Sequence, residues 1–172
     1  KADVKNVLVP YSPRMKHLID HPEEFVKEQG YERPSGHVMK RATWAKDNGG
    51  AIPPNLLQLT NCDSNGHYLR YCKAVGIKGH PARFPPSLPE FFIKLLTDEE
   101  DVVVDIFAGS NTTGQVAESL RRRWVSFELD QGYVAASSFR FAESLTDAQE
   151  CFEAIMRGGY VDMAPLQARI EL

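Results

Sequence analysis

Apolar positions are irregular up to about residue 60 and strongly ordered beyond residue 87. Val102, Val103 and Val104 lead through Asp105 into Ile106 and Phe107, a near-continuous apolar run that predicts a buried strand. A small-residue loop follows, and then a helical pattern from Thr113 to Arg123 with Val116, Ala117 and Leu120 on its inner face. Trp124 to Leu129 reads as a second buried strand ending in Glu128, with amphipathic stretches at Tyr133–Ala142 and Ala148–Met156. Strand, helix, strand, helix predicts a right-handed βαβ unit in a parallel sheet, so the fold class is α/β.

Upstream, Val4–Val9 reads as a short strand ending at Pro10, and Ser12-Pro13 as the start of a helix through Met15, Leu18 and Ile19. Turn-forming pieces dominate from His21 to Gly50, the composition of a loop-rich recognition surface. Ile52–Leu57 is extended through Pro53 and Pro54, and a short helix is expected over Tyr68–Ala74. Ser87 is a good N-cap for a helix carrying Phe91, Phe92, Leu95 and Leu96.

Composition narrows the class without deciding function. The chain has 172 residues, 42% hydrophobic and 25% charged, as expected of a globular protein with a real core. No apolar run approaches the roughly 20 residues needed to span a bilayer, and no signal-peptide pattern is present. The chain opens at Lys1 without an initiator methionine, which leaves room for a processed or longer N-terminus. Cys62, Cys72 and Cys151 form an odd set without metal-ligand spacing and read as reduced thiols of a cytosolic protein. His17 and His21 lie four apart but form no His-Glu-x-x-His pattern, so no metal site is expected. A net charge of −3 gives no global sign of nucleic-acid binding, although it does not report on a local basic face. The local candidates are Lys73, Lys78, Arg83 and Arg121-Arg122-Arg123, the last also readable as cations at a helix C-terminus.

The chemistry concentrates in the loop from Phe107 to Thr113. Gly109 lets a ligand approach the backbone. Ser110, Thr112 and Thr113 place hydroxyls beside a helix N-terminus, which favours a carboxylate or phosphate. Asp105 can hold a positive group or order the loop, and Glu128 ends the next strand, where nucleotide folds accept from ribose hydroxyls. A ligand with a ribose, a carboxylate and a cation satisfies all these groups, and S-adenosylmethionine has those parts. A P-loop is unsupported because no Lys-Ser or Lys-Thr follows Gly114, and the first spacing of a dinucleotide Gly-x-Gly-x-x-Gly turn is absent. An α/β turn without any ligand is the bland alternative.

The run Asp105-Ile-Phe-Ala-Gly-Ser-Asn-Thr-Thr113 resembles the cofactor motif of bacterial DNA amino-methyltransferases, usually Asp-Pro-Phe-x-Gly-Ser-Gly-Thr-Thr; Ile106 and Asn111 depart from it. Trp124-Val-Ser-Phe-Glu128 and Tyr133-Val-Ala-Ala-Ser-Ser-Phe-Arg-Phe141 strengthen the likeness, toward members of restriction-modification systems that methylate the 4-amino group of cytosine. His80-Pro81-Ala-Arg-Phe84 is similar to the segment that lines the methionine end of the cofactor in this family; Gly50–Asn55 and Ser64–Gly66 also resemble it. The likeness runs from about Asn6 to about Arg157. It implies a Rossmann-like S-adenosylmethionine-dependent methyltransferase fold, here partial, in a bacterial cytoplasmic protein. It also implies cofactor contacts by His80, Pro81, Asp105, Phe107, Ala108, Gly109, Ser110, Asn111, Thr112, Thr113 and Glu128.

The same resemblance implies something this chain lacks. Family members flip the target base and hold its amine with a Ser/Asp/Asn-Pro-Pro-aromatic loop. Tyr11-Ser12-Pro13-Arg14 lacks the second proline and the aromatic, and Ile52-Pro53-Pro54-Asn55 lacks the polar lead and the aromatic. No catalytic residue is therefore assigned. The implied organisation is a target-recognition region over 1–75 and a cofactor subdomain over 76–172, with the catalytic segment supplied in cis or trans and one sheet edge open. Duplex DNA is the implied substrate, with Arg33, Lys40, Arg41 and Lys46 as candidate phosphate contacts. The alternatives are an adenine 6-amino methyltransferase and a non-catalytic fragment that binds cofactor or a partner.

Overall fold

The computed structural model describes residues 3–24, 31–39, 46–61 and 66–159. The chain divides into two compact units between Leu57 and Gln58. The expected division near residue 75 concerned roles; in packing, the helix over 67–75 belongs with the C-terminal unit.

In the N-terminal unit the expected strand over Val4–Val9 is instead a 3-10 helix, Val4–Val7. Asp3 Oδ1 accepts from Lys5 N at 3.0 Å, a local bond that competes with a sheet ladder. Val9 alone pairs, through an isolated antiparallel bridge to Ala51. Gly50 lies beneath that bridge, where a Cβ would stand 2.8 Å from the Val9 carbonyl oxygen. Helix α1, Pro13–Asp20, starts as expected: the Ser12 hydroxyl accepts from Met15 N, and Pro13 occupies the first turn. Strands β1, Tyr31–Glu32, and β2, Val38–Met39, form a short antiparallel hairpin.

The C-terminal unit opens with α2, His67–Val75, closed by Gly76 in the left-handed conformation. Helix α3 is Ser87–Leu96. Ser87 is its first residue, not its cap; Pro86 holds the cap position with helical φ and ψ and no side-chain cap bond. Strand β3, Val102–Asp105, helix α4, Thr112–Ser119, and parallel strand β4, Arg123–Ser126, form the expected βαβ unit, in register from Val102↔Arg123 to Asp105↔Ser126. Then come α5, Gln131–Ser137, a 3-10 turn, Ser138–Arg140, and α6, Leu145–Met156. The tail beyond Gly159 lies outside the described residues.

Helix α4 ends before the expected Arg123. Arg121 turns left-handed at φ 59°, and Arg122 N donates back to the Ala117 carbonyl at 2.8 Å. The arginine triplet staples the turn ahead of β3: Arg121 pairs with Glu99, Arg122 donates to the Thr97 hydroxyl and carbonyl, and Arg123 donates to the Glu100 carbonyl. One apolar cluster joins Ile93, Val116 and Ala117 to Val103, Leu120 and Trp124. A second joins Tyr68, Cys72, Ala136, Phe139, Ala142 and Ala148, so α2, α5, the 3-10 turn and α6 pack together. Burial pushes the Tyr68 hydroxyl up to about 12 and raises the Cys72 thiol.

Candidate cofactor site

The site forms where β3 and β4 end and α4 begins. Asp105 closes β3, with one carboxylate oxygen accepting from Phe107 N at 3.0 Å and the other from the Thr113 hydroxyl at 2.6 Å. It therefore orders the loop, the second of the two roles open to it from sequence. Gly109 turns left-handed at φ 53°; a Cβ there would lie 3.1–3.3 Å from three ring atoms of His80. Such contacts are tighter than side chains normally tolerate, so both the turn and the close approach favour glycine.

Glu128, at the end of β4, reaches back across the loop. Its Oε2 accepts from Gly109 N at 2.8 Å, and its Oε1 accepts from Leu129 N and Asp130 N at 2.9 and 3.1 Å. These backbone donors, Asp130 N foremost, hold its carboxyl below the usual range, so it carries a negative charge at the mouth of the site.

Ser110, Asn111 and Thr112 are at most 3% exposed. Their side chains spend their hydrogen bonds on the protein. Asn111, left-handed at φ 57°, caps α4 through Oδ1 to Gly114 N at 3.1 Å and accepts from the Ser126 hydroxyl at 2.7 Å. The Ser110 and Thr112 hydroxyls lie 3.4 Å apart. Phe107 projects outward, 82% exposed, and Pro81 is also exposed.

His80 backs the loop. Its main-chain N–H donates to the Tyr68 hydroxyl at 3.0 Å. Its Nδ1 lies 2.8 Å from the Ala82 carbonyl oxygen, which can only accept, so the proton sits on Nδ1. Its ring meets Tyr133 edge-on at 4.5 Å.

Sequence reasoning missed Arg140. Its guanidinium donates to the Ser110 carbonyl and hydroxyl and to Gln115 Oε1, and it sits 4.8 Å over the Tyr68 ring. A cation between Phe139 and Phe141 in a half-buried segment was the available signal.

A cavity of about 320 Å³ opens beside these groups, with Ala108, Gly109, Asn111, Ser126 and Glu128 along one side and Trp124, Val134 and Phe141 among its apolar walls. That size and mixture suit a small ligand with an apolar body and a few polar handles. Of the candidate DNA contacts, Arg33 and Lys46 are exposed in the N-terminal unit, while Lys40 and Arg41 lie outside the described residues. Ser12 is engaged as the cap of α1. His21, Glu23 and Glu24 gather exposed donor atoms within 4.8 Å of one another, and His17 pairs with Glu24.

Residues 6–139 match a family model described as a DNA methylase. The chain belongs to this DNA methylase family. It is 52% identical over 166 residues to the Type II methyltransferase M.PvuII of Proteus hauseri, covering 95% of this chain and 48% of that protein. A shorter match, 42% identical over 59 residues, links it to the Type II methyltransferase M.BglI of Bacillus subtilis, covering 34% of this chain and 17% of that one. The solved structure of PvuII DNA methyltransferase (cytosine-N4-specific) aligns with a TM-score of 0.62 and 56% identity, over 65% of this chain and 41% of that chain. The chain thus spans about half the length of M.PvuII, and its β3–α4–β4 unit is part of a Rossmann-like methyltransferase fold.

Proposed function

We propose that this chain is the cofactor-binding and target-recognition part of a DNA methyltransferase of a restriction-modification system. The reaction is transfer of a methyl group from S-adenosylmethionine to the exocyclic 4-amino group of cytosine in duplex DNA. The observation that carries this reading is the Asp105–Gly109–Glu128 arrangement: a strand-end acid that orders the loop, a glycine pressed against His80, and a carboxylate charged at the mouth of the cavity. The likeness to a cytosine-N4-specific enzyme favours cytosine over the adenine 6-amino group.

The cavity fits the cofactor. Glu128 retains lone pairs for ribose hydroxyls beyond its three backbone donors. Ala108, Val134 and Phe141 supply apolar wall for a nucleoside, and the His80–Gly109 contact closes the side from which the family's methionine moiety is held. Bound S-adenosylmethionine supplies an electrophilic methyl group. The residues of this chain position it and shield it from water. Asp105 and Thr113 fix the loop, Asn111 and Arg140 fix its far side, and the charge on Glu128 sets the orientation. His80, Pro81, Phe107, Ser110 and Thr112 complete the proposed set, the last two by shaping the loop from within.

Base flipping and amine activation belong to the Pro-Pro-aromatic loop of the family, which this sequence does not contain. Arg33, Lys40, Arg41 and Lys46 are proposed to neutralise DNA phosphates, and the protein to work in the bacterial cytoplasm, where its DNA lies. The test is transfer from labelled S-adenosylmethionine to duplex DNA, with the chain co-expressed with the M.PvuII portion that it does not match. Mass analysis of digested product should show N4-methylcytosine. N6-methyladenine would move the assignment to adenine, and no transfer would leave a non-catalytic cofactor-binding fragment.

A further inference from the structure

Helix α1 ends in a cluster that the proposed reaction does not use. His17 lies in its last turn and His21 at its C-cap, with ring centroids 4.9 Å apart. Pro22 cannot continue the helix. The 3-10 turn Pro22–Glu24 instead reverses the chain and sets Glu23 and Glu24 beside the two histidines. His17 Nε2 stands 2.9 Å from Glu24 Oε2, and His21 Nδ1 stands 3.6 Å from Glu23 Oε1. His21, Glu23 and Glu24 each bring one donor atom within 4.8 Å of the others, and no other trio of His, Cys, Asp or Glu does so among the described residues.

These separations suit a shared ion. Ligand atoms held about 2.0–2.1 Å from a tetrahedral zinc lie about 3.4 Å from one another. The two His–Glu distances bracket that value. Glu24 can only accept, so the proton of His17 sits on Nε2 here; moving it to Nδ1 frees the Nε2 lone pair without changing the ring's charge. Carboxylates alone would favour a hard cation held through water, whereas two imidazoles shift the preference to zinc and its neighbours. Two carboxylates offset the double charge of the ion. The spacing of His17 and His21 predicts no site because the acids of a His-Glu-x-x-His pattern are missing; the reversal at Pro22 brings in acids from outside the helix.

The surrounding unit has few other means of holding this turn. Among the described residues of Asp3–Leu57, Val7 and Gly50 are the buried ones, and α1 buries none. The unit contains no cysteine, so no disulfide within it can staple it. Exposed His–Glu pairs by themselves contribute little, and small units short of core commonly rely on a metal.

We propose that His17, His21, Glu23 and Glu24 form a binding site for a divalent transition ion of the zinc class, which clips the end of α1 to the turn after it. The site is independent of the function proposed above.

The test titrates the tag-free full chain with zinc by calorimetry and with cobalt, a tetrahedral stand-in for zinc, by visible absorption. One ion per chain should bind, with the intense cobalt bands of tetrahedral coordination. His17→Ala and His21→Ala should each weaken zinc at least tenfold and Glu24→Gln severalfold, while the exposed His37→Ala leaves it unchanged. Circular dichroism checks that each variant is folded. Zinc should also slow hydrogen exchange across α1 and Pro22–Glu24 in the wild type and leave β3 and α4 unaffected. Zinc affinity undiminished in folded His17→Ala/His21→Ala would overturn the site, as would no binding by the wild type. A thiolate-to-cobalt charge-transfer band would move the ion to a cysteine, and magnesium binding as tightly as zinc would leave only an acidic surface; either would overturn the assignment.

Discussion

Replacing Gly114 with alanine tests the most specific feature of the cofactor loop. In an open helical position the change stabilises by about 1 kcal/mol, because glycine has the poorer helix propensity. Here the new methyl would stand 2.4 Å from Asn111 Oδ1 and 2.8 Å from its Cγ. Asn111 is 3% exposed and bonded to both Gly114 N and the Ser126 hydroxyl, so it cannot yield freely. Displacing it loses the cap, about 1 kcal/mol, and the Ser126 bond, about 1 kcal/mol. Overpacking adds about 1–3 kcal/mol. Set against the propensity gain, the net destabilisation is about 2–4 kcal/mol. Asn111→Gly removes the obstruction, and glycine adopts a φ near 57° without strain. It should cost about 1 kcal/mol by itself. The double variant Asn111→Gly/Gly114→Ala should then be more stable than Gly114→Ala alone, with a coupling of at least about 1.5 kcal/mol. Urea unfolding of the four proteins gives that coupling. Stabilisation by Gly114→Ala, or additivity of the two changes, would refute the steric linkage.

Other outcomes follow from the same site. Arg140→Ala should destabilise by about 2–4 kcal/mol in urea unfolding, because charged hydrogen bonds and a cation–π contact are lost together; Arg140→Lys should restore only part, since an ammonium cannot reproduce the planar fork. Glu128 is held below its unfolded pKa, so its stabilising contribution is present above the ordinary carboxylate range near about 4.3 and fades as pH falls through its lowered folded value. Melting curves across that acid window should therefore show a shallower fall for Glu128→Gln than for wild type, and equal slopes would contradict it. Cys72, 2% exposed with its thiol raised by burial, should resist a water-soluble disulfide reagent in the native protein and react on unfolding. Rapid native reaction at Cys72 would place it outside the core.

The parts of this molecule legible in its sequence are those fixed by local pattern. The valine run, the turn at Gly109 and the inner face of α4 announce β3, the loop and the helix. The Ser12-Pro13 helix start was equally local. Val4–Val9 misled because β-branched spacing resembles a strand, while the single Asp3 cap draws the backbone into a 3-10 turn. The end of α4 misled because Arg121–Arg123 suit a helix C-terminus; their partners in the Thr97–Glu100 turn lie more than 20 residues away. The hydroxyls of Ser110 and Thr112 are legible as site groups, but the inward hold on Ser110 comes from Arg140, 30 residues away. Sequence spacing identifies the loop; only the folded chain shows which atoms remain for a ligand.

Calorimetric titration of S-adenosylmethionine into the chain tests the central claim most directly. One-to-one binding is expected, weakened at least tenfold by Glu128→Ala and by Asp105→Ala, while Lys46→Ala leaves it unchanged. No binding, or binding indifferent to both carboxylates, would contradict the assignment of this cavity as the cofactor site.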